Sequence, residues 1–161
     1  MPPDPTDYRI LAHLQAHGRA SARAVAENVN LSPRATLARI RALEKHGHLR
    51  GYHAVLDRAL LGAHVAVFAE VALKDQRPEA VRLFERHAAA CPEVLACHLV
   101  SGRFDYLLRF CCRDLAHYQA LTNAWLEHPQ LGIEKIVTST ELKTVKEFSG
   151  FPLPPAARRR G

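Results

Sequence analysis

The sequence predicts an α+β fold in two parts, an N-terminal winged helix-turn-helix and a C-terminal ferredoxin-like βαββαβ domain. Three capped helical segments fill the first third of the chain, and segments of strand and helix character alternate after residue 63. Charge follows the same division. Residues 1–62 carry nine Lys and Arg against five Asp and Glu, whereas residues 63–151 carry ten against eleven. This imbalance is typical of a nucleic-acid-facing part beside a near-neutral one.

The first two helices are marked by residues that favour helix ends. Asp4 or Thr6 can cap the first helix, Pro5 suits its first turn, and Gly18 accepts the backbone geometry that ends it. Ser21 is the N-cap candidate of a short second helix. Two helices joined by a short connection are therefore expected before residue 30.

A third helix is predicted after a tight turn. Asn30 tolerates the positive φ of such a turn, Ser32 can cap the next helix, and Pro33 suits its first position. The helical pattern runs to His46 and stops at Gly47. Helix, turn and helix in this order make the helix-turn-helix arrangement.

The side chains of the third helix divide into two faces. Leu37, Ile40 and Leu43 fall on the face that we expect to be buried. The opposite face is cationic and otherwise made of alanine. Short side chains let a helix enter the major groove of DNA, while arginines reach phosphates or guanine edges. The predicted DNA-binding residues are Ser32, Arg34, Ala35, Thr36, Ala38, Arg39, Arg41 and Lys45.

Strand signals follow the third helix and recur in the second part of the chain. Partial alternation over residues 49–56 predicts a strand that serves as a wing or a connector. Beyond it, the pattern predicts strand, helix, strand, strand, helix, strand, with strands at residues 64–73, 94–100, 105–112 and 133–146. Both helices of this arrangement cover one face of an antiparallel sheet. The other face would expose apolar surface, so we expect a homo-oligomer.

Composition disfavours several other functional classes. No apolar run approaches the roughly 18 residues of a membrane span, and the start Met-Pro-Pro-Asp-Pro lacks the pattern of a signal peptide. We therefore expect a cytoplasmic protein with no membrane partner. The ten histidines and four cysteines show no recognisable ligand spacing and no C-x-x-C pair. Neither a metal site nor a cofactor is predicted.

Two segments carry a family resemblance. The run LSPRATLARIRALEKHGHLRGY, residues 31–52, resembles the recognition helix and following strand of Lrp/AsnC (leucine-responsive, feast/famine) transcriptional regulators. The run CHLVSGRFDYLLR, residues 97–109, is similar to the hairpin of that family's ligand-sensing domain. The resemblance spans about residues 4–148. It implies double-stranded DNA as a partner, homodimers that assemble into tetramers or octamers, and amino-acid effectors bound between subunits near the hairpin.

The resemblance also implies which residues bind the effector. Gly102, Asp105 and Tyr106 match the family's Gly-x-x-Asp-Tyr hairpin. Glycine lets a ligand carboxylate approach backbone amides, and an aspartate can pair with an α-ammonium group. The chain departs from the family pattern at Asn30, where glycine is usual, and at Arg103, where an acidic residue is frequent. The predicted effector-binding set is Ser101, Gly102, Arg103, Asp105, Tyr106 and, from a neighbouring subunit, Thr138 and Thr140.

The prediction is therefore a sequence-specific, DNA-binding transcriptional regulator, not an enzyme, that is modulated by a small molecule of the amino-acid class. One alternative is an architectural DNA-binding oligomer with no effector. Another is an enzyme, because siroheme decarboxylases share the architecture, but these would lack a cationic recognition helix. The predicted domains are a helix-turn-helix over 1–48, a strand and linker over 49–62, an effector-binding and oligomerisation domain over 63–148, and a basic flexible tail over 149–161 that can add non-specific DNA affinity.

Overall fold

The computed structural model describes residues 2–154, in two compact units. Among the described residues, the first unit runs to Leu56 and also contains Lys146 to Pro154, and the second is Asp57–Val145. The elements are α1 Pro5–Ala16, α2 Ala22–Val29, α3 Pro33–Lys45, a 3-10 turn Arg58–Leu61, β1 Val65–Leu73, α4 Pro78–Ala90, β2 Val94–Leu99, β3 Tyr106–Cys112, α5 Leu115–Glu127 and β4 Ile133–Thr140. Of the predicted tail, residues 155–161 lie outside the described part.

The caps predicted for the first three helices are confirmed. The Asp4 side chain accepts hydrogen bonds from the backbone N–H groups of Thr6 and Asp7, and the Asp7 carboxylate accepts one from the Asp4 N–H. Ser21 and Ser32 cap α2 and α3 through their hydroxyl oxygens. These bonds satisfy N–H groups that a helix end would otherwise leave without partners.

The connection between α2 and α3 has the predicted conformation. Asn30 lies in the left-handed region, at φ 57° and ψ 48°. Asparagine tolerates this region because its short polar side chain bonds locally. The departure from glycine at this position therefore leaves the helix-turn-helix geometry intact.

The buried stripe of α3 differs by one residue from the predicted stripe. Ile40 and Leu43 are buried as predicted, but Thr36 is fully buried and Leu37 is 39% exposed. One residue corresponds to about 100° of rotation around a helix. The Thr36 hydroxyl has no hydrogen-bond partner among the described residues. The core that this stripe closes contains Ile10, Leu14, Val25, Val29, Ile40 and Leu43.

The strand predicted over residues 49–56 is not formed. Leu49 packs on the helical core, but residues 50–57 have no helical or strand structure, and Val55 is 98% exposed. A strand requires a neighbour to receive its hydrogen bonds. The strands of the described chain all belong to the second unit and pair with each other. The prediction of a wing strand is therefore wrong for the single chain.

The second unit confirms the βαββαβ prediction. Its sheet has the order β2-β3-β1-β4, and every neighbouring pair is antiparallel. Alternate side chains of β1 and β3 form the core with α4 and α5. Aromatic rings fill its centre: Phe84 lies 4.6 Å from Tyr106, and Phe110 lies 5.6 Å from Trp125, measured between centroids.

The last strand ends earlier than predicted, because its neighbour β1 begins at Val65 and offers no further partner beyond the bond from the Glu141 N–H to the Ala66 carbonyl. β4 stops at Thr140, whereas the sequence predicts pairing to residue 146. The Glu141 carboxylate accepts hydrogen bonds from Arg58 and Arg109, each at 2.9 Å, and from the Thr144 hydroxyl. The cluster thus joins the 3-10 turn, β3 and the segment after β4. The helices of residues 2–154 include none that is long and apolar enough to cross a membrane.

The Glu141 cluster predicts a pH dependence of stability. Hydrogen bonds from Thr144 and Arg58, together with the charge of Arg109, lower the pKa of Glu141 from 4.5 to about 2. Stability contributed by a carboxylate of lowered pKa is present above its unfolded value and is lost as pH falls toward the folded one. We expect Glu141→Gln to lower the free energy of unfolding at pH 7 by about 1–3 kcal/mol and to flatten its dependence between pH 4.5 and 2.

Urea denaturation across this pH range measures the difference. The matched control is Glu134→Gln, at an exposed position on β4. If the Glu141→Gln variant kept the stability and the pH slope of the parent chain, the assigned role of the cluster would be wrong.

Candidate DNA-binding face and effector site

The outer face of α3 has the properties predicted for a DNA-reading surface. Its exposed residues are Arg34, Ala35, Ala38, Arg41, Ala42 and Lys45. Within residues 2–154 no ion pair holds the three cationic side chains of this face. Alanines at the centre and free cations around them leave a surface that can approach a polyanion closely.

Two of the residues predicted to contact DNA have other roles in the structure. Thr36 is fully buried, so its predicted side-chain contact is withdrawn. Arg39 donates through Nη1 to Asp4 Oδ2 and to Asp7 Oδ1, both at 2.8 Å. Although partial burial opposes it, the Asp7 N–H and the Arg39 guanidinium lower the pKa of Asp4. We therefore assign Arg39 to holding α3 against the capping box of α1.

A concavity of about 300 Å³ lies beside this face. Its walls are the end of α1, the connection from α1 to the start of α2, and the middle of α3. The lining residues include Leu14, Arg19, Leu37 and Arg41. The Tyr52 hydroxyl closes one side by donating to Glu44 Oε1 at 3.2 Å. The connection between α1 and α2 and the Arg41 side of the cationic face of α3 thus border the same concavity.

The β2–β3 hairpin presents its turn to solvent. The Val100 N–H donates to the Asp105 carbonyl at 2.9 Å, which closes the turn, and Ser101, Gly102 and Arg103 are exposed. Gly102 has φ 144°, a conformation that disfavours any side chain, and the space where its Cβ would lie is open. A ligand can therefore approach the backbone at Gly102 without displacing protein atoms.

Asp105 has a structural role at the hairpin turn. Its Oδ2 accepts a hydrogen bond from the Leu73 N–H at 2.7 Å, and its Oδ1 accepts one from Gln76 Nε2 at 2.8 Å. Its own N–H donates to the Val71 carbonyl at 3.0 Å. The carboxylate thereby ties the hairpin turn to the end of β1.

Arg103 is held loosely beside the same turn. Its Nη2 lies 3.5 Å from Glu70 Oε2, its guanidinium lies 4.7 Å from the Phe104 ring centroid, and its side chain is 81% exposed. Exposed ion pairs of this kind contribute little to stability. The side chain is therefore available to bind an anion.

Tyr106 points away from the turn. It is 2% exposed, and its hydroxyl donates to Glu85 Oε1 at 3.0 Å on α4. Burial, and then the neighbouring Glu85 carboxylate, raise the pKa of this phenol. The ring lines a cavity of about 390 Å³ between α4 and β2. The prediction that Tyr106 contacts an effector at the turn is therefore wrong for the single chain, in which Tyr106 is a core residue.

Thr138 and Thr140 are not brought to the hairpin within one chain. They lie opposite Ala69 and Val67 across β1, on the edge strand β4. The Thr138 hydroxyl bonds with the Tyr118 hydroxyl at 2.8 Å. Ser101, Gly102, Arg103 and Asp105 are the predicted residues that the single chain assembles at the turn.

Glu93, just before β2, lies between a cysteine and a histidine of the second unit. Glu93 accepts from the Cys91 thiol at 3.3 Å and lies 3.5 Å from His117 Nε2. Burial raises the pKa of the Cys91 thiol, which disfavours a reactive thiolate. Among the described residues, no group of three or more His, Cys, Asp or Glu side chains is placed to hold a metal ion.

Comparisons with known proteins identify both units. The protein-family model for the AsnC-type helix-turn-helix domain matches residues 4–44, and that for the Lrp/AsnC ligand binding domain matches residues 66–151. The chain is 38% identical to the Bkd operon transcriptional regulator of Pseudomonas aeruginosa over 151 residues, covering 93% of this chain and 97% of that protein. It is 39% identical to the leucine-responsive regulatory protein of Escherichia coli over 118 residues, covering 73% and 72%.

Among solved structures, the chain is similar to a transcriptional regulator from Neisseria meningitidis in complex with L-Met. The two superpose with a TM-score of 0.84 at 30% identity, covering 94% of this chain and 97% of that one. An AsnC family transcriptional regulator from Agrobacterium tumefaciens gives the same TM-score at 27% identity, covering 93% and 97%.

The bonds of Asp105 predict a stability effect. We expect Asp105→Ala to lower the free energy of unfolding by about 1–3 kcal/mol, because the Leu73 N–H is left without its acceptor. Urea denaturation measures the change, with Glu134→Ala as the control at an exposed position. Equal stability of the two variants would show that the carboxylate does not anchor the turn.

Proposed function

We propose, given that the chain belongs to the Lrp/AsnC family of transcriptional regulators, that α3 reads DNA in the major groove and that the second unit binds an amino acid which modulates DNA binding or assembly. The observation that carries the proposal is the exposed face of α3. Arg34, Arg41 and Lys45 surround alanines there and form no ion pair with another residue of the described range 2–154.

The composition of this face supports both affinity and sequence preference. Ala35 and Ala38 let the helix axis approach the base edges, while Arg34 and Arg41 reach guanine O6 and N7 or the phosphates beside them. We assign Ser32, whose hydroxyl oxygen caps α3, to a phosphate contact at the helix N-terminus, where backbone N–H groups favour anions. We assign Lys45, at the other end, to the backbone.

The hairpin turn supports the amino-acid proposal. A zwitterion needs a place for its carboxylate and a place for its ammonium group. The open backbone at Gly102 and the loosely held charge of Arg103 suit the carboxylate, and Asp105 suits the ammonium. The Neisseria regulator, similar over nearly the whole chain, was crystallised with L-Met. We propose a ligand of the same class, a free α-amino acid, for this chain.

Self-association completes the proposed mechanism. The sheet face opposite the helices carries Phe68 and Leu107, and β4 carries Thr138 and Thr140 far from its own hairpin turn. A second copy covering this face buries apolar surface and can bring its β4 hydroxyls to the effector. We propose a homodimer that assembles further into tetramers or octamers, so that effector binding alters assembly on DNA.

The proposed role is that of a cytoplasmic regulator and not of an enzyme. The relatives that cover most of this chain bear the names of transcriptional regulators. The siroheme-decarboxylase alternative calls for a recognition helix without a cationic face, and α3 carries such a face. The architectural alternative shares the DNA-binding face and differs only in lacking an effector, so ligand binding separates it from our proposal.

The DNA-reading role of α3 predicts the effect of removing one arginine. We expect Arg34→Ala to weaken binding and to cost about 1–3 kcal/mol of discrimination between the operator and a mismatched duplex. Fluorescence anisotropy with both duplexes measures it. The control is Arg86→Ala, an exposed arginine on α4 in the second unit. If the two variants bound alike, the assignment of Arg34 would fail.

The effector role predicts stabilisation by a free amino acid. A ligand at 100 times its Kd that binds only the native state stabilises it by about 2.7 kcal/mol, and so raises the melting temperature. We expect one or more of the twenty amino acids to do this, and Gly102→Ala to abolish the shift. Gly62→Ala, at another glycine of positive φ with open space around it, is the control. A panel without any shift would favour the architectural alternative.

A further inference from the structure

Two histidines lie on one face of α1 at its C-terminal end. His13 is in the last turn of the helix and His17 is its C-cap residue, so the two are four positions apart. Residues with this spacing are neighbours on the surface of a helix. Their imidazole rings are 5.0 Å apart between centroids, with 51° between the ring planes. The helix therefore holds two imidazole rings side by side.

The nitrogens of these two rings are free to bind a ligand. His13 is half-buried and His17 is exposed. Within residues 2–154, no hydrogen bond or ion pair holds either imidazole. By contrast, Nδ1 of His46, in the same unit, lies 2.6 Å from the Ala42 carbonyl oxygen. The pair on α1 thus keeps the lone pairs that a metal ion requires.

The separation of the rings matches that of two ligands on one metal ion. With metal–nitrogen bonds of about 2.0–2.1 Å, two imidazoles on a tetrahedral ion have their centroids about 5 Å apart. The spacing His-x-x-x-His also places both zinc-binding histidines of H-E-x-x-H enzymes on one helix face. Here Leu14 stands where those enzymes carry the glutamate that acts as general base. The pair therefore predicts metal binding without catalysis.

The position at the helix end favours a bound cation. The last carbonyl groups of a helix carry a partial negative charge, whose effect is confined to the last turn. Arg9, one turn before His13 on the same face, donates from Nη2 to Thr6 Oγ1 at 3.3 Å. Its guanidinium is therefore drawn toward the start of the helix, away from the two rings.

We propose that His13 and His17 bind one divalent transition-metal ion of the zinc, nickel or copper class, with water in the remaining coordination positions. Imidazole nitrogen suits these ions, whereas Mg²⁺ and Ca²⁺ prefer oxygen ligands. A site with two protein ligands agrees with the absence of larger ligand groups among residues 2–154. It departs from the sequence-based expectation of no metal site, and it does not depend on the proposed DNA-binding function.

An ion held by both rings cross-links the last turn of α1. That turn contains Leu14, which is buried in the core of the first unit. It also contains Gln15, which donates to the Phe151 carbonyl at 2.8 Å and accepts from the Phe151 N–H at 3.0 Å. The turn thus holds a segment that the sequence assigns to a flexible tail. A ligand that binds only the folded state stabilises it by mass action, so we expect the metal to raise the melting temperature.

Isothermal titration calorimetry of the intact protein with NiCl₂ tests the site, under reducing conditions that keep the four cysteines as thiols. We expect His13→Gln and His17→Gln each to weaken Ni²⁺ binding about tenfold or more, because the second imidazole acts at a high effective concentration. Glutamine is a good helix former, so both variants retain α1. The control is H46Q/H48Q, which removes another histidine pair of the same unit, with 6.2 Å between centroids; we expect it to bind Ni²⁺ like the parent.

Melting temperatures complete the test. Values without metal report whether each variant folds, and values with Ni²⁺ report stabilisation. A rise in the parent and the control that is lost in both single variants supports the site. A parent that binds no Ni²⁺ overturns it, as does a parent affinity retained by both single variants. Binding that requires only one of the two histidines overturns chelation by the pair. His17 is exposed, so His17→Gln decides the question if His13→Gln fails to fold. None of these measurements includes DNA, so a failure of the metal site leaves the proposed function in place.

Discussion

The DNA-binding unit depends on the burial of one stripe of α3, formed by Thr36, Ile40 and Leu43. Removing an apolar side chain such as Ile40 from water contributes about 1.5–3 kcal/mol, so this stripe fixes the rotation of the helix about its axis. Because side chains follow at about 100° per residue, the opposite face is fixed with it. Arg39 adds a second constraint by pairing with both acids of the α1 capping box. Core packing thus decides which side chains α3 exposes on the face that we propose reads DNA.

The sheet plays the corresponding part in the second unit. One face is buried under the helices, and the other face, which carries the exposed ring of Phe68, is the one that we propose a second copy covers. The hairpin turn is held to the end of β1 by Asp105, which keeps the open backbone at Gly102 in a fixed place. Thr138 and Thr140 lie on the opposite edge strand. A site that uses all of these residues requires more than one subunit.

Local signals were sufficient for much of this structure, and contacts between distant residues account for the rest. Ser32 caps α3 because the residues that decide it lie within one turn. The strand predicted over 49–56 fails because a strand needs a partner, which a local pattern cannot supply. The pairing of Arg39 with Asp4 spans 35 positions, and that of Tyr106 with Glu85 spans 21. A local pattern contains no sign of these partners. The sequence therefore predicts a DNA contact for Arg39 and an effector contact for Tyr106, whereas both side chains bond within the protein.

The central claim is that the cationic face of α3 reads a specific DNA sequence and that an amino acid modulates the result. The most direct measurement is fluorescence anisotropy of the intact protein with a labelled duplex from upstream of its own gene and with a scrambled duplex, across salt concentrations and with amino acids added. The account predicts tighter binding to the natural duplex, a steep loss with salt, and a shift in affinity with at least one amino acid. Absence of binding to either duplex at low salt would contradict it.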